Sequence, residues 1–288
     1  MTAALRATIA RSLEAGRSEG PFSRLWARLA ASKWRAADST HAAPAVISIA
    51  GSRLGGSLAT PLVLAVAELL SRRGARVAVV TRANLGRARA PRVVSRDDDP
   101  ADVGDEGLWL ARALPAVTVV TARTPSVGLA FAAQRADVVI ADGRAPASVR
   151  VLIHDPRGPA ACPPSGDMRA PLSTLHAWAT HVLSVDALSL GVEVPDVSGD
   201  VLLATAIARP HRVVEATGSL SVVHHVAFPD HGGPGFVAAV ASALTRHPAR
   251  VVVCTEKCAT WLPSRVSGRE VVPLRARVVV PGSLAAVL

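Results

Sequence analysis

The chain has 288 residues, half of them apolar but only 3% aromatic, so its core must be built from Ala, Val and Leu rather than rings. Lys plus Arg number 32 against 22 for Asp plus Glu, and the +10 balance favours polyanionic partners: nucleic acid, anionic lipid headgroups or phosphorylated substrates. Cys162, Cys254 and Cys258 are too few and wrongly spaced for a disulfide framework or a common zinc site, and no apolar run reaches the ~18 residues of a membrane-spanning helix. The three cysteines predict a reducing compartment, and the first twenty residues lack an apolar h-region, which predicts a protein that is not exported.

Residues 1–44 read as a basic helical segment, because Phe22, Leu25, Trp26 and Leu29 fall at helical spacing among Arg24, Arg28, Lys33 and Arg35. Such a helix either rests on an anionic membrane surface or packs on the next domain. From Ala45 the pattern changes to a buried strand, AVISIA, then a turn of small residues from Gly51 to Ser57. The helical run LVLAVAELLSRRG follows, and then a second buried strand, RVAVVT. Pro61 suits the first helical turn and Gly74 the C-terminal cap, so this is one βαβ unit of a parallel sheet.

The alternation continues with a helix near Glu106 to Leu114, strand VTVVT, a helix near Val127 to Gln134, and strands ADVVIAD and VRVLIHD. Each strand is apolar throughout, as in a sheet covered on both faces. The Pro/Gly-rich stretch DPRGPAACPPSGDMRAP reads as a long surface loop, and HVLSVDAL as a returning strand. After Pro195 to Gly199, strands VLLATAI, SVVHHVAF and RVVVCTE alternate with helices near 210–218 and 235–245. The expected class is α/β: a three-layer α/β/α core with a mostly parallel sheet over residues 45–199, then a smaller α/β lobe over 200–288.

The turn Ser52 to Pro61 occupies the place of a phosphate-binding loop, between a buried strand and a helix N-terminus. A P-loop there combines backbone N–H groups with a Lys and a Ser/Thr hydroxyl. Here Leu58-Ala59 replaces Gly-Lys and only Thr60 of the core motif remains.

IAGSRLGGSLATPLVLAVAELLSRRGARVAVVTR nevertheless resembles the tetraacyldisaccharide 4'-kinase family, whose stretch runs VGN, a variable residue, TVGGTGKTP, a helix and a strand ending in SRG. The segments GDEGLWLARAL, ADVVIADG, PSGDMRAPLSTL, AIARPHRV, FPDH and TEKCATWL resemble that family's further segments in the same order, over roughly residues 46–262. The resemblance implies a P-loop-type fold. The activity it implies is ATP-dependent phosphorylation of the 4'-hydroxyl of tetraacyldisaccharide 1-phosphate, the lipid A precursor. The protein is then peripheral on the inner, cytoplasmic face of the cytoplasmic membrane, on an anionic surface; no nucleic-acid partner is expected, because no RNA or DNA motif and few stacking aromatics are present.

The same resemblance implies roles for single residues. Asp105 and His231 match the pair that deprotonates the sugar hydroxyl. Gly55, Gly56, Ser57 and Thr60 match the phosphate-binding turn, and Thr60, Glu106 and Asp142 the Mg2+ side. Arg169 is a candidate phosphate contact, and Glu256-Lys257 keeps the family's TEK. The family's first DDG aspartate is Ala141 here, and its Gln-His is Ala145-Pro146. Loss of the loop lysine removes a charge where transfer needs one, and Arg53 is the candidate substitute. Two other readings stay open: a homologue that keeps the fold and has lost ATP turnover, and, from another class, a nucleic-acid or anionic-surface binding module.

Overall fold

A computed structural model describes residues 3–35, 45–84 and 86–288 of the chain. Residues 1, 2 and 36–44 of the N-terminal segment, and Leu85, lie outside the described residues.

The first sheet contains β1 (Ala45–Gly51), β2 (Val77–Arg82), β3 (Arg92–Val93), β4 (Thr118–Ala122), β5 (Val138–Asp142), β6 (Val149–His154) and β7 (His181–Ser184). Their order is β3-β4-β2-β5-β1-β6-β7, parallel except at β3. Successive side chains of a strand point to opposite faces, and both faces are apolar here. Ile47, Ile49, Val79 and Ile140 pack under the helices Ala59–Arg72 and Asp105–Ala113. Val46, Ala78, Val80 and Val139 pack under the helix Pro125–Ala133. That is the expected three-layer arrangement.

The second sheet contains β8 (Leu190–Glu193), β9 (Val201–Thr205), β10 (Val222–Ala227), β11 (Val251–Thr255), β12 (Arg265–Val266) and β13 (Arg269–Val278). Its order is β10-β9-β11-β13-β12, with β8 antiparallel on the far half of β13. Leu202, Ala204, Val252 and Cys254 face the helix Gly235–Arg246, while Val201, Leu203, Val251 and Val253 face the other way. Val278 and Leu284 then return to the core of the first sheet.

One expectation gains detail and one changes. The helix Pro21–Arg35 forms, but it packs by Ser23, Ala30, Ala31 and Trp34, and the stripe seen in the sequence is left outside, with Phe22 77% exposed and Leu25, Trp26 and Leu29 also exposed. Trp34 meets Trp178 edge to face at 4.9 Å, and Ser23 Oγ donates to the Cys162 carbonyl at 2.7 Å. The Pro/Gly-rich stretch is not a surface loop either: Asp155, Cys162, Asp167, Met168 and Ala170 are all buried. Its carbonyls and carboxylates are bound by arginines from distant segments, and its apolar residues form the floor under the N-terminal helix. Among the described residues, no helix is long and apolar enough to cross a membrane.

Candidate active site

Parallel α/β sheets bind ligands beyond the carboxyl ends of their strands, where loops from both faces meet. The ends of β1, β2 and β5 converge in this way with the loops of the second lobe around a cavity of about 890 Å³.

The turn after β1 has a backbone open to an anion. Gly55 and Gly56 adopt φ of 118° and 66°, and Leu58 adopts a left-handed 58° before the helix begins at Ala59. No described residue accepts a hydrogen bond from any of the backbone N–H groups from Gly55 to Thr60. Consecutive free N–H groups at a helix N-terminus form an anion nest, reinforced by the positive end of the helix dipole. Ser57 Oγ is also buried without a partner. Leu58 and Ala59 pack on the core of the first sheet, so no side-chain charge comes from the lysine position.

Arg53 does not replace that charge. Its side chain is 2% exposed and bonded throughout: Nε donates to the Asp155 carbonyl at 2.9 Å, Nη1 to Pro159 O and to the Asp167 carboxylate, and Nη2 to Gly158 O. A guanidinium with its donors used and its charge paired inside the protein is a structural anchor. The anchor extends to the second lobe. Arg209 donates to Asp155 and Asp167 at 3.2 and 2.8 Å, and Arg212 donates to Asp155 at 2.6 Å and to the Gly56 carbonyl at 2.5 Å. At Gly56 the φ of 66° favours glycine, and a Cβ there would displace Arg209, which it would meet at 2.5 Å.

Across the cavity, Asp105 begins the helix Asp105–Ala113 and His231 follows β10 in a left-handed conformation, φ 66°. A non-glycine residue held there stores strain that the surroundings must impose. His231 Nδ1 lies 3.1 Å from Asp105 Oδ1, which also accepts the Glu106 N–H at 2.9 Å. Asp105 is 1% exposed, whereas His231 opens to the cavity. Burial and the Lys257 charge oppose protonation of His231, but the Asp105 hydrogen bond and the charges of Asp230 and Glu106 outweigh them, raising its pKa above the ordinary imidazole value.

Two further residues belong to this cluster. Lys257 Nζ donates to Asp230 Oδ1 at 2.9 Å and lies 3.7 Å from Asp105 and 3.6 Å from Glu106. Burial alone would lower the Lys257 pKa, and the three carboxylates raise it well above the ordinary value instead. The sequence signal for both was their adjacency to recognised residues: Asp230 precedes His231, and Lys257 stands in TEK.

Thr60, Asp142 and Glu106 meet between these two regions. Burial, followed by the Glu106 charge, pushes the Asp142 pKa up to about 7, against the Thr60 hydrogen bond and the charges of Arg169 and Lys257. Asp142 Oδ2 is buried without a hydrogen-bond partner. Glu106 Oε2 accepts from Asn84 at 2.9 Å. Arg169 lies within the electrostatic reach of Asp142 and Glu106 and donates to the Arg53 carbonyl at 2.7 Å.

The sequence profile of tetraacyldisaccharide-1-P 4'-kinase (LpxK) matches residues 20–191, more than half of the chain. A tetraacyldisaccharide 4'-kinase of Methylorubrum extorquens is 30% identical over 283 residues, covering 85% of this chain and 84% of that protein. The corresponding protein of Chromobacterium violaceum is 32% identical over 244 residues, covering 69% and 70%. In fold, the chain is similar to LpxK from Aquifex aeolicus, solved in complex with ATP, with a TM-score of 0.68 over 95% of this chain and 94% of that one at 19% identity. The chain belongs to the tetraacyldisaccharide-1-P 4'-kinase family.

Proposed function

We propose that this chain transfers the γ-phosphoryl group of ATP to the 4'-hydroxyl of a tetraacyldisaccharide 1-phosphate. The observation that carries the reading is that one cavity joins a free row of N–H groups, from Gly55 to Thr60, to the Asp105–His231 pair. The first suits a phosphate chain and the second an acceptor hydroxyl.

Gly55, Gly56, Ser57 and Thr60 hold the phosphates through backbone N–H groups and hydroxyls. His231 faces the acceptor, and Asp105 fixes its Nδ1, so the pair takes up the proton as the hydroxyl becomes a nucleophile. Lys257 keeps Asp230 and Glu106 from repelling the incoming phosphates, because its charge is shared among those carboxylates. A divalent cation fits beside Thr60, Glu106 and Asp142, where the unpartnered Asp142 Oδ2 and its raised pKa mark a carboxylate lacking a counter-charge. Such a cation, when bound, would neutralise phosphate charge during transfer. Among the described residues no three His, Cys, Asp or Glu side chains form a self-sufficient metal site, so nucleotide oxygens would complete the coordination.

We assign the exposed Phe22, Leu25, Trp26 and Leu29, with Arg24 and Arg28 beside them, to an anionic membrane surface, where an acylated acceptor resides. We also keep a division near residue 200 into a P-loop-type core and a C-terminal lobe that carries His231 and Lys257.

The test is transfer of labelled γ-phosphate from ATP to tetraacyldisaccharide 1-phosphate in detergent micelles. Turnover that disappears in Asp105→Ala supports the reading. A second reading, a homologue without turnover, is favoured by Ala59 and by the sequestration of Arg53. Absence of both turnover and ATP binding would establish it.

A further inference from the structure

The cavity wall carries more positive charge than its carboxylates neutralise. Arg53, Arg209 and Arg212 are bonded to Asp155 or Asp167, and Lys257 to Asp230. Arg82 and Arg144 line the same cavity with no hydrogen bond or ion pair to any described residue.

Arg144 is held in place from its backbone. It follows Asp142 and Gly143 at the end of β5, where Gly143 N–H donates to the Ile49 carbonyl at 2.8 Å and Gly143 O accepts from Ser48 Oγ at 2.9 Å. On the other side, Ala145 N–H donates to Ser48 Oγ at 3.0 Å. The guanidinium is half-buried, 5.8 Å from the centre of the Trp34 ring. Arg82 ends β2, the strand paired with β5, so both cations leave neighbouring strand ends on the cavity side. Burial lowers the Arg144 pKa, and the charge of Arg82 lowers it further. Arg82 acts on Arg169 in the same direction. Guanidiniums that face one cavity without an acid keep their repulsion until a counter-charge arrives with a ligand.

The chemistry of that ligand follows from position and shape. Asp142, two residues before Arg144, touches Thr60 of the N–H-lined turn, so the pair borders the phosphate nest. Planar guanidiniums bind phosphate oxygens two at a time. We propose that Arg144 and Arg82 form a phosphate-binding pair that supplies, from the ends of β5 and β2, the positive charge absent at Ala59. The inference rests on the cavity being a polyphosphate site. The phosphate is either the terminal group of the nucleotide or the one carried by the acceptor, and the chemistry of binding is the same.

The test is calorimetric titration of the full chain with inorganic tripolyphosphate, ATP, ADP and, in micelles, tetraacyldisaccharide 1-phosphate. Arg144→Ala, Arg144→Lys and Arg82→Ala are compared with the wild type, and Arg246→Ala serves as a surface control. Tripolyphosphate affinity should fall about tenfold to a hundredfold in Arg144→Ala and Arg82→Ala, recover in part in Arg144→Lys, and stay unchanged in Arg246→Ala. A loss for ATP that exceeds the loss for ADP assigns the terminal phosphate; a loss for the acceptor instead assigns the acceptor's own phosphate. Either result supports the pair. Wild-type affinity in both alanine variants for every ligand, or no tripolyphosphate binding by the wild type, overturns it. Arginine-dependent tripolyphosphate binding without any transfer from ATP would sink the kinase reading while leaving the pair intact.

Discussion

The two walls of the cavity have fared differently. On one wall, Asp105 and Glu106 join Asp230, His231 and Lys257 in a connected set of charges with distances of 2.9 to 3.7 Å. On the turn side, the glycines, Ser57 and Thr60 remain, but the side-chain cation is gone and Leu58 and Ala59 pack into the core. Backbone amides can hold an anion without help from a particular side chain, whereas proton transfer needs a titratable pair at bonding distance. A turn of this kind can therefore lack a lysine and still be an anion site, whereas the proposed proton transfer needs Asp105 and His231 together.

The sharpest way to break this comparison is Asp105→Asn, which keeps shape and removes charge. It should lower kcat about 10³-fold, and NMR titration should show the His231 pKa moving down, because the hydrogen bond that raises it is weakened. An unmoved His231 pKa would show that the two do not act as a pair. In the wild type, kcat/KM should rise with pH through an acid limb above the ordinary imidazole value, as His231 loses its proton.

On the turn side, Arg53→Ala should act on stability first. Its loss leaves Asp167 paired with Arg209 alone and the Asp155, Gly158 and Pro159 carbonyls without their donor, which should cost about 2–4 kcal/mol in denaturant unfolding, and Arg53→Lys should recover little of it. Full stability with impaired ATP binding would instead restore Arg53 as a phosphate ligand. Ala59→Lys should raise kcat by about tenfold or more if the turn lacks only charge, checked by single-turnover transfer. No gain would mean that the wall already has its cation.

The smallest effect concerns Asp142. Its folded pKa of about 7 lies above the ordinary 3.8, so the folded state binds the extra proton and loses stability as pH rises between these values. Asp142→Asn should therefore raise the melting temperature of the nucleotide-free protein by a few degrees at pH 8, with the gain vanishing near pH 4, while weakening any divalent-cation dependence. A gain independent of pH would point to packing instead of charge.

Much of the fold was legible because periodicity is local. Strands such as Val77–Arg82 and Val138–Asp142 are apolar on both faces, and Gly74 ends its helix as read. β13 was not legible: Pro273 and alternating arginines argue against an interior strand, yet β13 pairs with β11 and β12 in one half and with β8 in the other. The helix Leu172–Trp178 carried too weak a pattern to be read, whereas Ala3–Ala15 and Pro21–Arg35 both fall within the stretch read as helical. The candidate site was legible as a set of motifs, and Asp105 and His231 do meet across 126 residues of chain.

What the sequence by itself determined is the α/β class, the βαβ start and the order of the segments that mark the family, because each depends on neighbours within a few residues. Only the tertiary structure decided which cations are spent. Arg53 looks like a free turn residue beside Gly55, but its carboxylate partner lies 114 residues away in a stretch that reads as a loop. Arg144 looks like an ordinary loop arginine, and it is left without an acid among the described residues. Charge pairing is settled by which distant groups share a buried volume, and no local pattern encodes that.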